Sequence, residues 1–123
     1  MNRRRMTTTD GPVTFVTLFE LPREDVAAFI SGWRERIALV DGAPGFRSAQ
    51  LLEAVSEDER FQLVNVTRWD SREAQQAATS TPALRASVAS AQTGEGRRAT
   101  ATPGFYRVAA SVVGTAEEAE VRR

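Results

Sequence analysis

From residue 61 to residue 70 the chain reads Phe-Gln-Leu-Val-Asn-Val-Thr-Arg-Trp-Asp, and its side chains alternate in character with a period of two. Phe61, Leu63, Asn65, Thr67 and Trp69 form one set; Gln62, Val64, Val66 and Arg68 form the other. Successive side chains of a strand point to opposite faces, so the segment predicts a strand with one large, mostly apolar face. Val13 to Glu20 alternates in the same way. Its sets are Val13, Phe15, Thr17, Phe19 and Thr14, Val16, Leu18, Glu20, rich in β-branched and aromatic residues, and it predicts a first strand covered on both faces. Between these strands the apolar spacing changes to three and four. Val26, Phe29, Ile30, Trp33, Ile37 and Val40 then fall on one stripe of a helix. Pro22 suits the first turn of that helix, Glu24 and Asp25 suit its positive end, and Gly42, Pro44 and Gly45 stop it. Phe46 to Val55 predicts a second strand, joined to the Phe61 strand as a hairpin through the polar stretch Ser56 to Arg60.

Asp70 followed three residues later by Glu73 reads as a capping box that opens a short helix to about Ala78. Thr81-Pro82 supplies a second cap, and Leu84, Val88 and Ala91 give one face of a further helix ending near Gln92. Thr93 to Thr102 predicts a loop and Gly104 to Val113 a last strand. The order strand, helix, strand, strand, helix, strand predicts an α+β, ferredoxin-like βαββαβ domain with helices on one face of an antiparallel sheet. The other face, carrying Val64 and Val66, would be wet in a single chain. A second copy is its simplest cover, so a homodimer joined through sheet faces is expected. The domain is expected over residues 13–113, between a disordered leader at 1–12 and a polar tail at 114–123.

Charge and composition remove whole classes of function. Arginine and the acidic residues number 16 each, so no broad basic field is available for nucleic acid or an anionic membrane. With no cysteine and no histidine, disulfides, thiolate nucleophiles, most zinc sites and a histidine haem ligand are excluded. The absence of lysine removes Schiff-base chemistry. No glycine-rich phosphate loop is present, and no bound cofactor or metal is expected. No apolar run is long enough to span a bilayer, which leaves a cytoplasmic location as the expectation.

One residue breaks the apolar pattern. Asn65 lies among Phe61, Leu63 and Trp69, where an amide buried without partners would cost roughly 1–3 kcal/mol. A neighbouring backbone group, a trapped water and a ligand are the three ways to satisfy it. Trp69 shares its face about 13 Å along, so the two side chains could hold opposite ends of one flat molecule. The plainer alternative makes Asn65 a hydrogen-bonded core amide and Trp69 a core aromatic.

The Phe- and Val-rich first strand, the amphipathic helix, Pro44-Gly45-Phe46 and the strand ending Val-Asn-Val-Thr-Arg-Trp-Asp-Ser together resemble the antibiotic biosynthesis monooxygenase family of dimeric α+β barrels. Asn65 followed four residues later by Trp69 is similar to the pair found in its cofactor-independent anthrone oxygenases. That resemblance implies an aromatic polyketide substrate and dioxygen, with Asn65 and Trp69 catalytic. Trp33 and Phe29 on the helix stripe, with Phe61 and Leu63 on the strand, would line the substrate site. In that subgroup the substrate loses a proton, its enolate passes an electron to dioxygen, and recombination with loss of water leaves a quinone. Some relatives carry a tyrosine soon after the tryptophan, where this chain has Asp70-Ser71-Arg72-Glu73; its one tyrosine is Tyr106. Two other functions suit such a pocket: non-catalytic binding of a small hydrophobic compound, and polyketide cyclisation.

Overall fold

The computed structural model describes residues 11–115, so most of the leader, and the tail beyond residue 115, lie outside the described residues. Its elements are β1 (Val13–Glu20), a 3-10 turn (Arg23–Asp25), α1 (Val26–Ala38), β2 (Phe46–Glu53), β3 (Leu63–Trp69), α2 (Arg72–Ala78), α3 (Pro82–Thr93) and β4 (Thr100–Tyr106). All four strands join one antiparallel sheet in the order β2-β3-β1-β4. This is the ferredoxin-like arrangement, with β1 and β3 in the middle because each is apolar enough to be flanked on both sides.

The register sets out the helix-facing side row by row. Asn65 stands between Leu51 of β2 and Thr17 of β1, and Thr17 in turn stands beside Pro103 of the edge strand β4. The neighbouring row runs Ala49, Thr67, Phe15, Phe105. Large apolar side chains occupy the two ends of this face. At one end Val13, Val40, Trp69, Ala78 and Leu84 form a core cluster, with Phe46 edge-on to Trp69 at 5.2 Å between ring centres. At the other, Leu21, Val26, Phe29 and Leu63 form a second cluster. Between them lies a belt of buried Thr17, Asn65 and Thr67.

The opposite face carries Val16, Leu18, Val64 and Val66, all half-buried, and Leu52, 48 % exposed. Among the described residues no helix packs on it. At Gly45 the backbone is left-handed, with φ 84°, and an added Cβ would come within 2.6 Å of the Ala74 Cβ. Glycine is therefore needed there twice over, for conformation and for the approach of α2 to the start of β2. No helix among the described residues is long and apolar enough to cross a membrane.

Four expectations need correction. The last strand is Thr100–Tyr106 rather than Gly104 to Val113: Thr100, Thr102 and Gly104 find partners along β1, whereas β1 begins only at Val13 and offers nothing beside residues 108–113. The second strand ends at Glu53, before Val55. Phe61 and Gln62 precede β3, which starts at Leu63. The cap of α2 is Ser71, whose hydroxyl accepts from the Ala74 N–H, while Asp70 instead accepts from Arg47 Nε at 2.6 Å. The second cap is as expected, with the Thr81 hydroxyl accepting from the Leu84 N–H.

Candidate active site

Asn65 is 9 % exposed and sits in the middle of β3, so its side chain leaves the strand between the two apolar clusters. Its amide is oriented from above. The indole Nε1–H of Trp33, on α1, donates to Asn65 Oδ1 at 2.8 Å. An indole N–H can only donate, so the contact settles which end of the amide is oxygen and leaves the NH2 group directed elsewhere. Among the described residues no acceptor is hydrogen-bonded to that NH2. The result is a pair of buried donors in fixed orientation, beside Thr17, 6 % exposed, and Thr67, 4 % exposed.

Trp33 is half-buried because its other side opens to a groove. The groove, of about 410 Å³, runs between α1 and β2 and is lined by Ile30, Trp33, Ala49 and Leu51 among others. Leu51 is also the cross-strand neighbour of Asn65. The amide thus lies immediately behind two residues of the groove wall.

Trp69 occupies a different position. It is 2 % exposed, and its Nε1–H donates to the hydroxyl of Thr67 at 2.9 Å. The sequence pairs Asn65 with Trp69, whereas in three dimensions the indole that touches Asn65 is Trp33. Trp69 reaches the belt only through Thr67. Phe29 and Leu63 lie in the second apolar cluster, Phe29 with its ring centre 4.7 Å from that of Phe19. Phe61, ahead of the strand, lies under the Arg60 guanidinium at 4.9 Å. Trp33 and Asn65 are therefore brought together, while Phe29, Leu63, Phe61 and Trp69 surround or flank the belt.

Sequence patterning missed two features. Gln62 is 4 % exposed: its Oε1 accepts from Arg23, and its Nε2 donates to the carbonyls of Ser56 at 3.2 Å and Glu59 at 2.7 Å. Parity placed it on the far face with Val64, and nothing local marked it as buried. The other is a strap formed by residues 94–99 over the second cluster. Glu95 accepts from Arg36 Nη1 at 2.7 Å, and the Arg36 guanidinium also lies 5.2 Å from the Phe29 ring centre. A Cβ at Gly32 would meet the Glu95 carboxylate, so the bare helix surface there gives that side chain its place beside Arg36. The Arg36 hydrogen bond holds the Glu95 carboxyl below the usual carboxylate range, although burial acts the other way. At the outer end of the strap Arg98 forks onto Asp25 at 2.7 and 2.9 Å, which lowers the Asp25 carboxyl and raises the Arg98 guanidinium. Among the described residues no three carboxylates gather closely enough to hold a cation.

Solved structures that share this fold include the following three. One is a candidate monooxygenase from Shewanella loihica PV-4, 26% identical, with TM-score 0.64, covering 82% of this chain and 97% of that one. Another is SnoaB, a cofactor-independent oxygenase from Streptomyces nogalater, 24% identical, with TM-score 0.68, covering 83% and 97%. The third is the haem-degrading protein Rv3592 from Mycobacterium tuberculosis, 27% identical, with TM-score 0.60, covering 84% and 97%. No curated protein sequence gives a significant match. The sequence profile of the antibiotic biosynthesis monooxygenases matches residues 12–90, from the start of β1 into α3 and well over half of the chain. With the sheet order and the helix-covered face in agreement, the chain belongs to the antibiotic biosynthesis monooxygenase family.

Proposed function

We propose that the protein is a cofactor-independent monooxygenase that oxidises an anthrone-type aromatic to a quinone with dioxygen. The observation that carries this reading is the Asn65 amide, held by Trp33 at 2.8 Å so that its NH2 group is left to donate inside a nearly dry belt. An anthrone that loses a ring-methylene proton becomes an enolate. Donors fixed in advance stabilise the charge on its oxygen far better than water, which must reorganise. The enolate passes one electron to dioxygen, and the two radicals combine to a peroxide. The peroxide anion takes back a proton, and loss of water from the hydroperoxide leaves the quinone, so one oxygen atom enters the product and the other leaves as water.

Each residue has a role on this reading. Asn65 donates to the enolate oxygen and then to the peroxide. Trp33 orients the amide and presents the ring face nearest the groove, from which a flat substrate approaches; Trp69 acts one step away by fixing the Thr67 hydroxyl. Phe29, Leu63 and Phe61 supply apolar surroundings. Glu95, whose acidity Arg36 strengthens, is a poor base, so proton removal falls to water held by the belt or to the acidity of the anthrone itself. The exposed face of Val16, Leu18, Val64 and Val66 supports a homodimer closed sheet to sheet, and light scattering should give twice the chain mass.

The test is to mix the protein with a model anthrone in air and under argon, following quinone and oxygen uptake. Quinone formation that needs both oxygen and Asn65 is the expected result. Tight anthrone binding with no quinone above the buffer rate would make the protein a binding module. An anthrone left unchanged in air, together with ring closure of an uncyclised poly-β-ketone under argon, would make it a cyclase.

A further inference from the structure

The charges of this chain balance overall but not locally. At the end of the sheet where β1 begins and β3 stops, two adjoining concavities share Val13, Arg107 and Val108. One, of about 590 Å³, adds Arg72 and Phe105; the other, of about 360 Å³, adds Arg47, Arg68 and Trp69. Four arginines line them, and among the described residues neither lining contains a carboxylate. A hollow at the opposite end of the molecule provides the contrast. There Arg23, Arg60 and Arg98 are matched by Glu20, Glu57 and Glu59.

The register explains the clustering. Arg68 stands opposite Thr14, which stands opposite Tyr106, so Arg107 follows one residue later at the same end of the sheet. Arg47 enters at the irregularity between Phe46 and Ser48, across from the end of β3. Arg72 opens α2 and lies with its guanidinium 4.8 Å from the Phe105 ring centre. Of the four, Arg47 alone meets an acid among the described residues, Asp70. Arg72 and Arg107 share one concavity and Arg47, Arg68 and Arg107 the other; guanidinium groups so gathered repel one another, and each is a planar fork suited to a carboxylate. Their floor is apolar, built from Val13, Phe105 and Val108.

We infer that this arginine-lined hollow is a binding site for an aromatic carboxylate, with the acid held by Arg68 and Arg107 and the ring laid on the apolar floor. The inference is independent of the role proposed for Asn65. Such a ligand satisfies both halves of the hollow at once: bare phosphate would leave the floor wet, and a neutral aromatic would leave the cations unpaired. Because the arginines are partly in water, the attraction should weaken with salt.

The probe is 9-anthracenecarboxylate, titrated by its fluorescence into the full chain, with 9-anthracenemethanol and inorganic phosphate as comparison ligands. The carboxylate should bind at least tenfold more tightly than either. Its affinity should fall tenfold or more in the Arg68→Gln, Arg107→Gln double variant and on raising salt from 50 to 500 mM, and should be unaltered in Asn65→Leu. Circular dichroism checks that the double variant is folded; Arg68→Lys, Arg107→Lys, which keeps the charge and loses the fork, should fall between. Equal binding of acid and alcohol would overturn the inference. So would loss of binding in Asn65→Leu with none in the arginine variants, since the acid would then be occupying the belt.

Discussion

Two buried amides three residues apart on one stretch of chain meet opposite fates. Gln62, 4 % exposed, closes the β2–β3 connection: both ends of its side chain are engaged, by Arg23 and by the carbonyls of Ser56 and Glu59. Asn65, 9 % exposed, is engaged among the described residues at the oxygen alone, by Trp33. Burial of a polar group is a cost that structure removes by pairing, and Gln62 is paired because its work is to hold a loop. The half-paired amide beside it is the donor that the proposed reaction requires. The difference separates a residue that stabilises the fold from one whose unmet donors the fold supports.

The largest expected effect tests that separation. Asn65→Leu should keep the fold while lowering anthrone turnover a hundredfold or more, at least about 2.7 kcal/mol of barrier. Turnover within twofold of wild type in a folded variant would make the amide structural. Gln62→Leu should do the reverse, costing about 2 kcal/mol in urea unfolding because carbonyls are stranded, with the rate per folded molecule unchanged. The two tryptophans sharpen the contrast at smaller scale. Trp69→Phe should cost about 1–2 kcal/mol of stability through lost packing and the lost Thr67 bond. Trp33→Phe should cost mainly rate, about tenfold or 1.4 kcal/mol, because the freed amide can turn over. An exchange of these two phenotypes would return the catalytic role to Trp69.

The smallest effect concerns the strap. The Glu95 carboxyl is held below its ordinary value by Arg36, so its contribution is present above the unfolded value of about 4.3 and is lost as pH falls through the lower folded value. Glu95→Gln should therefore cost under about 1 kcal/mol at pH 7 and lose less stability than wild type between pH 5 and pH 3. Parallel losses in the two proteins over that range would show that the pair contributes nothing.

Much of the fold was legible because its signals are local. The period-two alternation of Val13 to Glu20 gives β1 with both ends correct, and the stripe from Val26 to Val40 gives α1. β4 lies earlier than its own pattern predicts because its pairing depends on where β1 begins, which Gly104 to Val113 does not encode by itself. The site was half legible. Asn65 declares itself as a polar residue in an apolar row, but its partner is 32 positions away on α1, and no spacing rule joins a helix residue to a strand residue. Trp69 has the visible spacing and Trp33 has the contact. Gln62 is not legible in the alternation because the ladder of β3 starts only at Leu63, so strand parity does not govern the residue before it.

Pro103 has a consequence for how the molecule keeps company. It lies within β4, the outer strand on that side of the sheet, opposite Thr17. An outer strand normally offers a row of amide hydrogens on which another chain can zip up, the first step towards fibrils; a proline has none to offer. The edge is blunted there, and in-plane growth beyond β4 meets a gap in the ladder. The sheet-to-sheet dimer proposed above is the contact that a blunted β4 edge favours, and replacing Pro103 with valine would give that edge an added amide hydrogen to guard.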